Sequence, residues 1–255
     1  MLPIIFAAQE QIMRKLPGIV IALAFAGPAF SQTTTTPTPA PKLDLANRAG
    51  DHFMVQLGST QWLGAPDSID SHVGAFNRSA NVYLMLDKPF KGNPQLSVAF
   101  GVGVSTSNVY FKNMLVDIGS TKPILPFVNV DTSNRYKKYK LTTAYLEVPI
   151  EFRFSSKPLD PSKSLKAALG VKVGTMLNAH TKGKGLEDKN GNSINTFTQK
   201  VITRSYFNGT RLTGTARVGY GNYSLFGAYS FTNLFKDGVA ADINVLQVGL
   251  TLSGL

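Results

Sequence analysis

Cysteine is absent from the 255 residues, so neither disulfides nor thiolate metal sites can hold this chain together. Beyond the first thirty residues, no apolar run reaches the roughly 20 residues that a membrane-crossing helix requires. A helical membrane protein is therefore excluded. Acidic side chains are scarce: 15 Asp and Glu stand against 26 Lys and Arg, a net charge of +11. Such a surplus favours anionic partners. No nucleic-acid-binding motif accompanies it, so lipid phosphates are the expected counterpart and nucleic acid is not. Histidine is confined to His52, His72 and His180.

The chain does carry an export leader. Arg14 and Lys15 precede the apolar run 16–25, and Ala29-Phe30-Ser31 precedes Gln32, which predicts a signal peptide over residues 1–31. Met13 gives a tighter basic-then-apolar layout than Met1 and is an alternative start. Residues 32–50 include the run T-T-T-T-P-T-P-A-P, which has nothing to bury and reads as an extended periplasmic tether. Residues 51–255 carry the fold.

There, period-two patterns and glycine punctuation predict eight strands, near 52–62, 77–86, 95–108, 140–154, 164–180, 206–220, 222–233 and 242–253. Most reach or exceed the about 9 to 11 residues of a tilted membrane strand. Their connections alternate. The first, third and fifth (63–76, 109–139 and 181–205) are long, whereas the second, fourth and sixth (87–94, 155–163 and around Gly221-Asn222) are short. Long outer loops, short periplasmic turns and both chain ends inside are the layout of an eight-stranded antiparallel transmembrane β-barrel.

The run L-E-V-P-I-E-F-R-F, 146–154, shows what the two faces want. Leu146, Val148, Ile150, Phe152 and Phe154 share one side; Glu147, Pro149, Glu151 and Arg153 share the other. The third, fifth and last strands repeat the pattern, with Gly, Ala, Ser and Lys opposite Leu and Val. Apolar side chains therefore face acyl chains, and small and charged ones share the inner wall. With Phe154 set opposite Leu165, Glu147 faces Lys172 and Arg153 faces Lys166 with Glu151 nearby, a lumenal ion network. Trp62, Tyr83, Phe152, Phe154, Tyr220, Tyr223 and Phe231 fall near predicted strand ends, where membrane barrels carry aromatic girdles.

With the segment Y-L-E-V-P-I-E-F (Tyr145 to Phe152), the S-Q cleavage site and the glycine-bearing last strand in view, the chain resembles the Bacteroidota outer-membrane β-barrel family called PorT-like, over about 51–255. The resemblance implies an outer-membrane location and association with a secretion or assembly complex of the envelope. The chain departs from common barrel practice in ending on Leu255 instead of an aromatic residue. Pro149 lacks an N–H for a neighbour and marks a bulge or an unpaired position.

Candidate chemistry is sparse. His180 lies where the fifth strand should emerge, with Ser193, Ser205, Glu187 and Asp188 on neighbouring loops, but spacing selects no triad. Asp188, Asn190 and Asn192 mimic the start of a calcium loop; Ser193 stands where a glycine is needed and Gln199 where a glutamate is. Asn190-Gly191 instead predicts a tight turn. No metal and no cofactor are expected. Lys137, Lys138, Lys182 and Lys184 lie on outer loops, within reach of lipopolysaccharide phosphates. The leading expectation is a non-enzymatic outer-membrane module that meets lipid, lipopolysaccharide and another envelope protein. The alternatives are a barrel enzyme acting on envelope lipid and a soluble lipocalin-like barrel.

Overall fold

The computed structural model describes residues 53–253. The expected leader (1–31), the Met13 start, the tether (32–50) and the terminal Leu255 lie outside the described residues. Among the described residues, eleven strands follow one another: β1 (Phe53–Leu63), β2 (Arg78–Pro89), β3 (Leu96–Phe111), β4 (Met114–Val116), β5 (Phe127–Asn129), β6 (Arg135–Ser155), β7 (Leu165–Glu187), β8 (Ser193–Ile202), β9 (Thr210–Tyr220), β10 (Tyr223–Ser230) and β11 (Asn244–Ser253). A short helix, α1 (Asp67–Asp70), sits after β1.

Eight of these strands close a ring in the order β1, β2, β3, β6, β7, β9, β10, β11, every pair antiparallel; β1 and β11 seal it with Met54 opposite Ser253. Closure leaves no unpaired edge around the ring. The faces are inverted relative to a soluble barrel. Val148, Ile150 and Phe152 are each about half exposed, whereas Glu147 and Glu151 on the alternate face are each 1% exposed. Phe100, Leu169 and Leu250 also point outward; Ser97, Lys172 and Gln247 point in. Apolar side chains gain nothing from facing water, so the outer surface suits hydrocarbon.

Short turns gather at one end. β9 and β10 are joined by Gly221-Asn222 alone, and Gly221 has φ +60, where any Cβ would come 2.6 Å from the carbonyl oxygen of Ser162. That glycine is required by a positive φ and a close approach together.

The long connections build more than open loops. β6 and β7 run 21 and 23 residues, well past the apolar band, and with β8 form a three-stranded extension. The expected loop 181–205 is thus largely strand. Its tip is the turn anticipated at Asn190-Gly191, with Gly191 at φ +90. The expected sixth strand starts at Thr210 because Tyr206 and Phe207, instead of continuing it, turn into a hydrophobic cluster.

That cluster caps the barrel at its long-loop end. Trp62 meets Phe111 and Phe235 edge-on, with ring centroids 5.5 and 5.9 Å apart. The connection after β3, read from sequence only as basic, contributes buried Met114, Val116, Ile118 and Leu125. The Leu125 N–H donates to the Val239 carbonyl at 2.8 Å, tying this connection to the last long loop. The interior is therefore polar at mid-height and apolar under the outer loops. Trp62→Ala should lower unfolding free energy in detergent by about 3–5 kcal/mol. Lipid-facing Phe100→Ala should cost distinctly less, because it opens no internal cavity. Denaturant unfolding followed by heat-modifiable gel migration compares the two.

Candidate functional site

The polar interior is organised by β6. Each of its inward charges stands between small residues on both neighbours. Glu147 lies between Gly103 and Gly174, Glu151 between Ala99 and Gly170, and Arg153 between Ser97 and Ala168. Any Cβ at Gly170 or Gly174 would come 2.9 Å from the Cγ of the facing glutamate. This corrects the register expected from sequence. Phe154 pairs with Ala167, not Leu165, so Lys172 stands opposite Pro149 and Lys166 opposite Ser155. Neither Glu147–Lys172 nor Arg153–Lys166 is a cross-strand pair. A slide of two residues keeps every side chain on its face, so volume decides between registers that charge complementarity leaves open. Around Pro149 the ladder to β3 skips Val148-Pro149 against Gly101-Val102 while register is kept, an unpaired position without a bulge. The register shift between β6 and β7 falls at Ala144-Tyr145, where Leu177 is the extra residue on β7.

Glu147 accepts three hydrogen bonds from two residues. Arg211 of β9 donates to its Oε1 through Nη2 and, at 3.2 Å, through Nε; the Tyr83 hydroxyl donates to Oε2 at 2.5 Å. Lys172 reaches this carboxylate indirectly. Its ammonium donates to the Tyr83 hydroxyl at 3.1 Å and to Gln56 Oε1 at 3.2 Å. It also lies 4.7 Å above the Tyr83 ring. Gln56, Asn81, Ser105 and Gln247 continue the network across the lumen. Nearer the short turns, Glu151 Oε2 accepts from Arg153 Nε at 2.9 Å and Arg217 Nη2 at 2.8 Å. Arg153 Nη1 lies 3.8 Å from Asp87, which also accepts from Ser97 at 2.7 Å. Lys166 sits half-buried at this end.

Sequence reasoning missed Arg211 and Arg217, the principal partners of the two glutamates. The signal was present: alternation in T-R-L-T-G-T-A-R-V-G-Y puts both arginines on the inner face of β9. Buried ion pairs of this geometry keep carboxylates from standing uncompensated. One lumenal space of about 10 Å³, lined by Ser105, Glu147, Lys172, Arg211, Thr213 and Gln247, has room for about one water. Among the described residues no three His, Asp or Glu side chains group as metal ligands.

The aromatic residues divide. Phe152, Tyr220, Tyr223 and Phe231 are exposed on the outer wall, and Phe154 is partly so. Trp62 and Tyr83 are instead buried inside, Trp62 in the cap and Tyr83 on Glu147. Nearness to a strand end does not set the face; parity along β1 and β2 does, and it points both inward.

The basic residues of the extension form rows. Across β6 and β7, Lys138 pairs with Lys184 and Lys140 with Lys182; across β7 and β8, Lys182 pairs with Lys200. Lys137 departs from this row and meets Glu187 at 3.5 Å. His180 Nδ1 is 3.0 Å from Asn178 Oδ1. Its hydrogen-bond partners include neither Ser193 nor Ser205, and Asp188 is occupied by Asn190 and Asn192 in the hairpin turn. Partial burial, then Lys200, Lys140 and Lys182, hold the His180 pKa below the ordinary histidine value.

Residues 47–252 match the family model described as outer membrane protein beta-barrel domain. No curated protein matches the chain. Among solved structures it is similar to Ail, the attachment invasion locus protein of Yersinia pestis, alone and in complex with the heparin analogue sucrose octasulfate. In each case identity is 13%, the match covers 79% of this chain and 94% of that one, and the TM-score is 0.30.

Glu147→Ala and Arg211→Ala should each cost about 3–5 kcal/mol in detergent unfolding. The double variant should cost much less than their sum. The Glu147–Lys172 cycle should give a smaller coupling; a larger one would restore the register expected from sequence. By NMR, His180 should titrate below the ordinary histidine value and move upward in Lys182→Ala. Its depressed pKa means that the unfolded chain binds the proton first on acidification. Stability should therefore fall as pH drops from the unfolded to the folded value, and change no further below that.

Proposed function

The chain belongs to the outer membrane protein beta-barrel domain family, and from that premise we propose that it is a non-enzymatic structural and interaction module of the bacterial envelope, engaging lipopolysaccharide and another envelope protein. It is an outer-membrane barrel with strands that present hydrocarbon outward. The observation that carries the proposal is the paired lysine rows on the extension. Like charges directly opposite one another repel, and a neighbouring anion removes that cost. Lipid A phosphates offer that charge close to the apolar band.

Two features support a scaffold over a conduit. The lumen is filled by the Glu147 and Glu151 networks, and the long-loop end is capped by the Trp62 cluster. Phe152, Tyr220, Tyr223 and Phe231 supply an interfacial girdle in this reading. Service as an accessory of a secretion or assembly complex, as the PorT-like resemblance implies, is the finer form of the proposal. The partner protein would dock on the extension or on the short turns.

The triple variant Lys140→Gln/Lys182→Gln/Lys200→Gln should still fold and insert, and should bind lipid A vesicles at least about tenfold more weakly than the parent chain, a loss that grows as salt is lowered. Unchanged binding by the folded variant would remove lipopolysaccharide as the partner.

A further inference from the structure

A second surface of the extension has chemistry of a different kind. Its inner face, opposite the lysine rows, looks across a cleft of about 230 Å³ toward the small ribbon of β4 and β5. The floor of that cleft is Tyr136. Its ring lies flat over Gly183 of β7, where a Cβ would come within 2.8 Å of three ring carbons, so only glycine permits this seating. The Tyr136 hydroxyl reaches across β7 and donates to Gln199 Oε1 on β8, the residue paired with Gly183. With one face against the strand and its hydroxyl anchored, the ring is held in place as part of the cleft lining.

Tyr139 extends this platform. Its ring lies 17° from the plane of Tyr136 with centroids 5.9 Å apart, and its hydroxyl donates to the Val116 carbonyl at 2.8 Å. Both phenols are thus committed internally; Tyr139 is buried in the cap and backs Tyr136, which offers a ligand ring surface. Phe197 stands edge-on to Tyr136 at 6.2 Å as a side wall. The polar groups at the rim are the exposed carboxylate of Asp117, an acceptor, and the Gln199 amide nitrogen, a donor whose own carbonyl is taken by Tyr136.

These features discriminate among ligand classes. A carboxylate in the cleft disfavours an anion. The lysines on the reverse of the same three strands disfavour a cation. A wholly apolar molecule would desolvate Asp117 and Gln199 without replacing their hydrogen bonds. A neutral ring with one apolar C–H face and hydroxyls at its edge satisfies every wall, and the space accommodates about one such ring. The geometry points to a carbohydrate-binding cleft that takes a single neutral pyranose, stacked on Tyr136 and hydrogen-bonded to Asp117 and Gln199. This site is separate from the phosphate-binding rows and does not depend on them.

The test uses the full chain folded in a zwitterionic detergent without sugar headgroups. The probes are the methyl pyranosides of glucose, galactose, mannose and N-acetylglucosamine, with cyclohexanol as the apolar comparison, read by saturation-transfer NMR. At least one pyranoside should bind more tightly than cyclohexanol. Its affinity should fall about fivefold or more in Asp117→Ala or Gln199→Ala, the worth of one hydrogen bond. Both positions are exposed, so heat-modifiable migration should stay as in the parent chain. Absence of pyranoside binding, binding unchanged in both variants, or cyclohexanol binding as tightly as every pyranoside would overturn the assignment.

Discussion

Two carboxylates buried in a narrow barrel, Glu147 and Glu151, dictate much of what surrounds them. An ionised carboxylate taken out of water is tolerated only when paired and hydrogen-bonded. Arg211 and Arg217 on β9, one strand beyond β7, supply the charge; Tyr83 takes the second oxygen of Glu147, and Arg153 shares Oε2 of Glu151, whose Oε1 is buried without a hydrogen-bond partner. Room for these long side chains comes from Gly103, Gly174, Ala99 and Gly170 beside them. The same alternation that sends charge inward sends Leu146, Val148, Ile150 and Phe152 outward. A membrane-facing surface is the geometric counterpart of a charged centre.

Above the apolar band the physics changes. The cap is held by burial of Trp62, Phe111, Phe207 and Phe235, in the manner of a soluble core. The extension of β6, β7 and β8 is anchored in the barrel wall below and has two unlike faces, lysine rows on one and the Tyr136 platform on the other. A rigid wall beneath and varied chemistry above is how barrels separate stability from recognition.

Period-two patterning made the closed barrel legible, because each strand reports its own two faces. It also assigned Glu147, Glu151, Arg153 and Lys172 to the lumen. What it could not supply was register. Charge favoured Glu147 against Lys172, yet the decisive term is steric and depends on two neighbours at once, Gly103 and Gly174. Trp62 and Tyr83 were misplaced because position along a strand was weighed without parity. The cap escaped notice because Met114, Val116, Ile118 and Leu125 are scattered among lysines in a long connection, and only their meeting with Phe235 and Val239 in three dimensions reveals a core.

The orientation of the two faces is open to direct measurement, since a cysteine-free chain accepts a single spin label anywhere. Labels placed one at a time at Leu146, Val148, Ile150, Leu169 and Leu250, and at inward Ser97 and Ser105, can be read in liposomes by collision with oxygen, which concentrates in hydrocarbon, and with a water-soluble nickel chelate. The account predicts high oxygen and low nickel exposure at the five outward sites and low exposure to both at the two inward ones. Nickel exposure at the outward sites equal to that of the loop residue Asn190, carrying the same label, would contradict it.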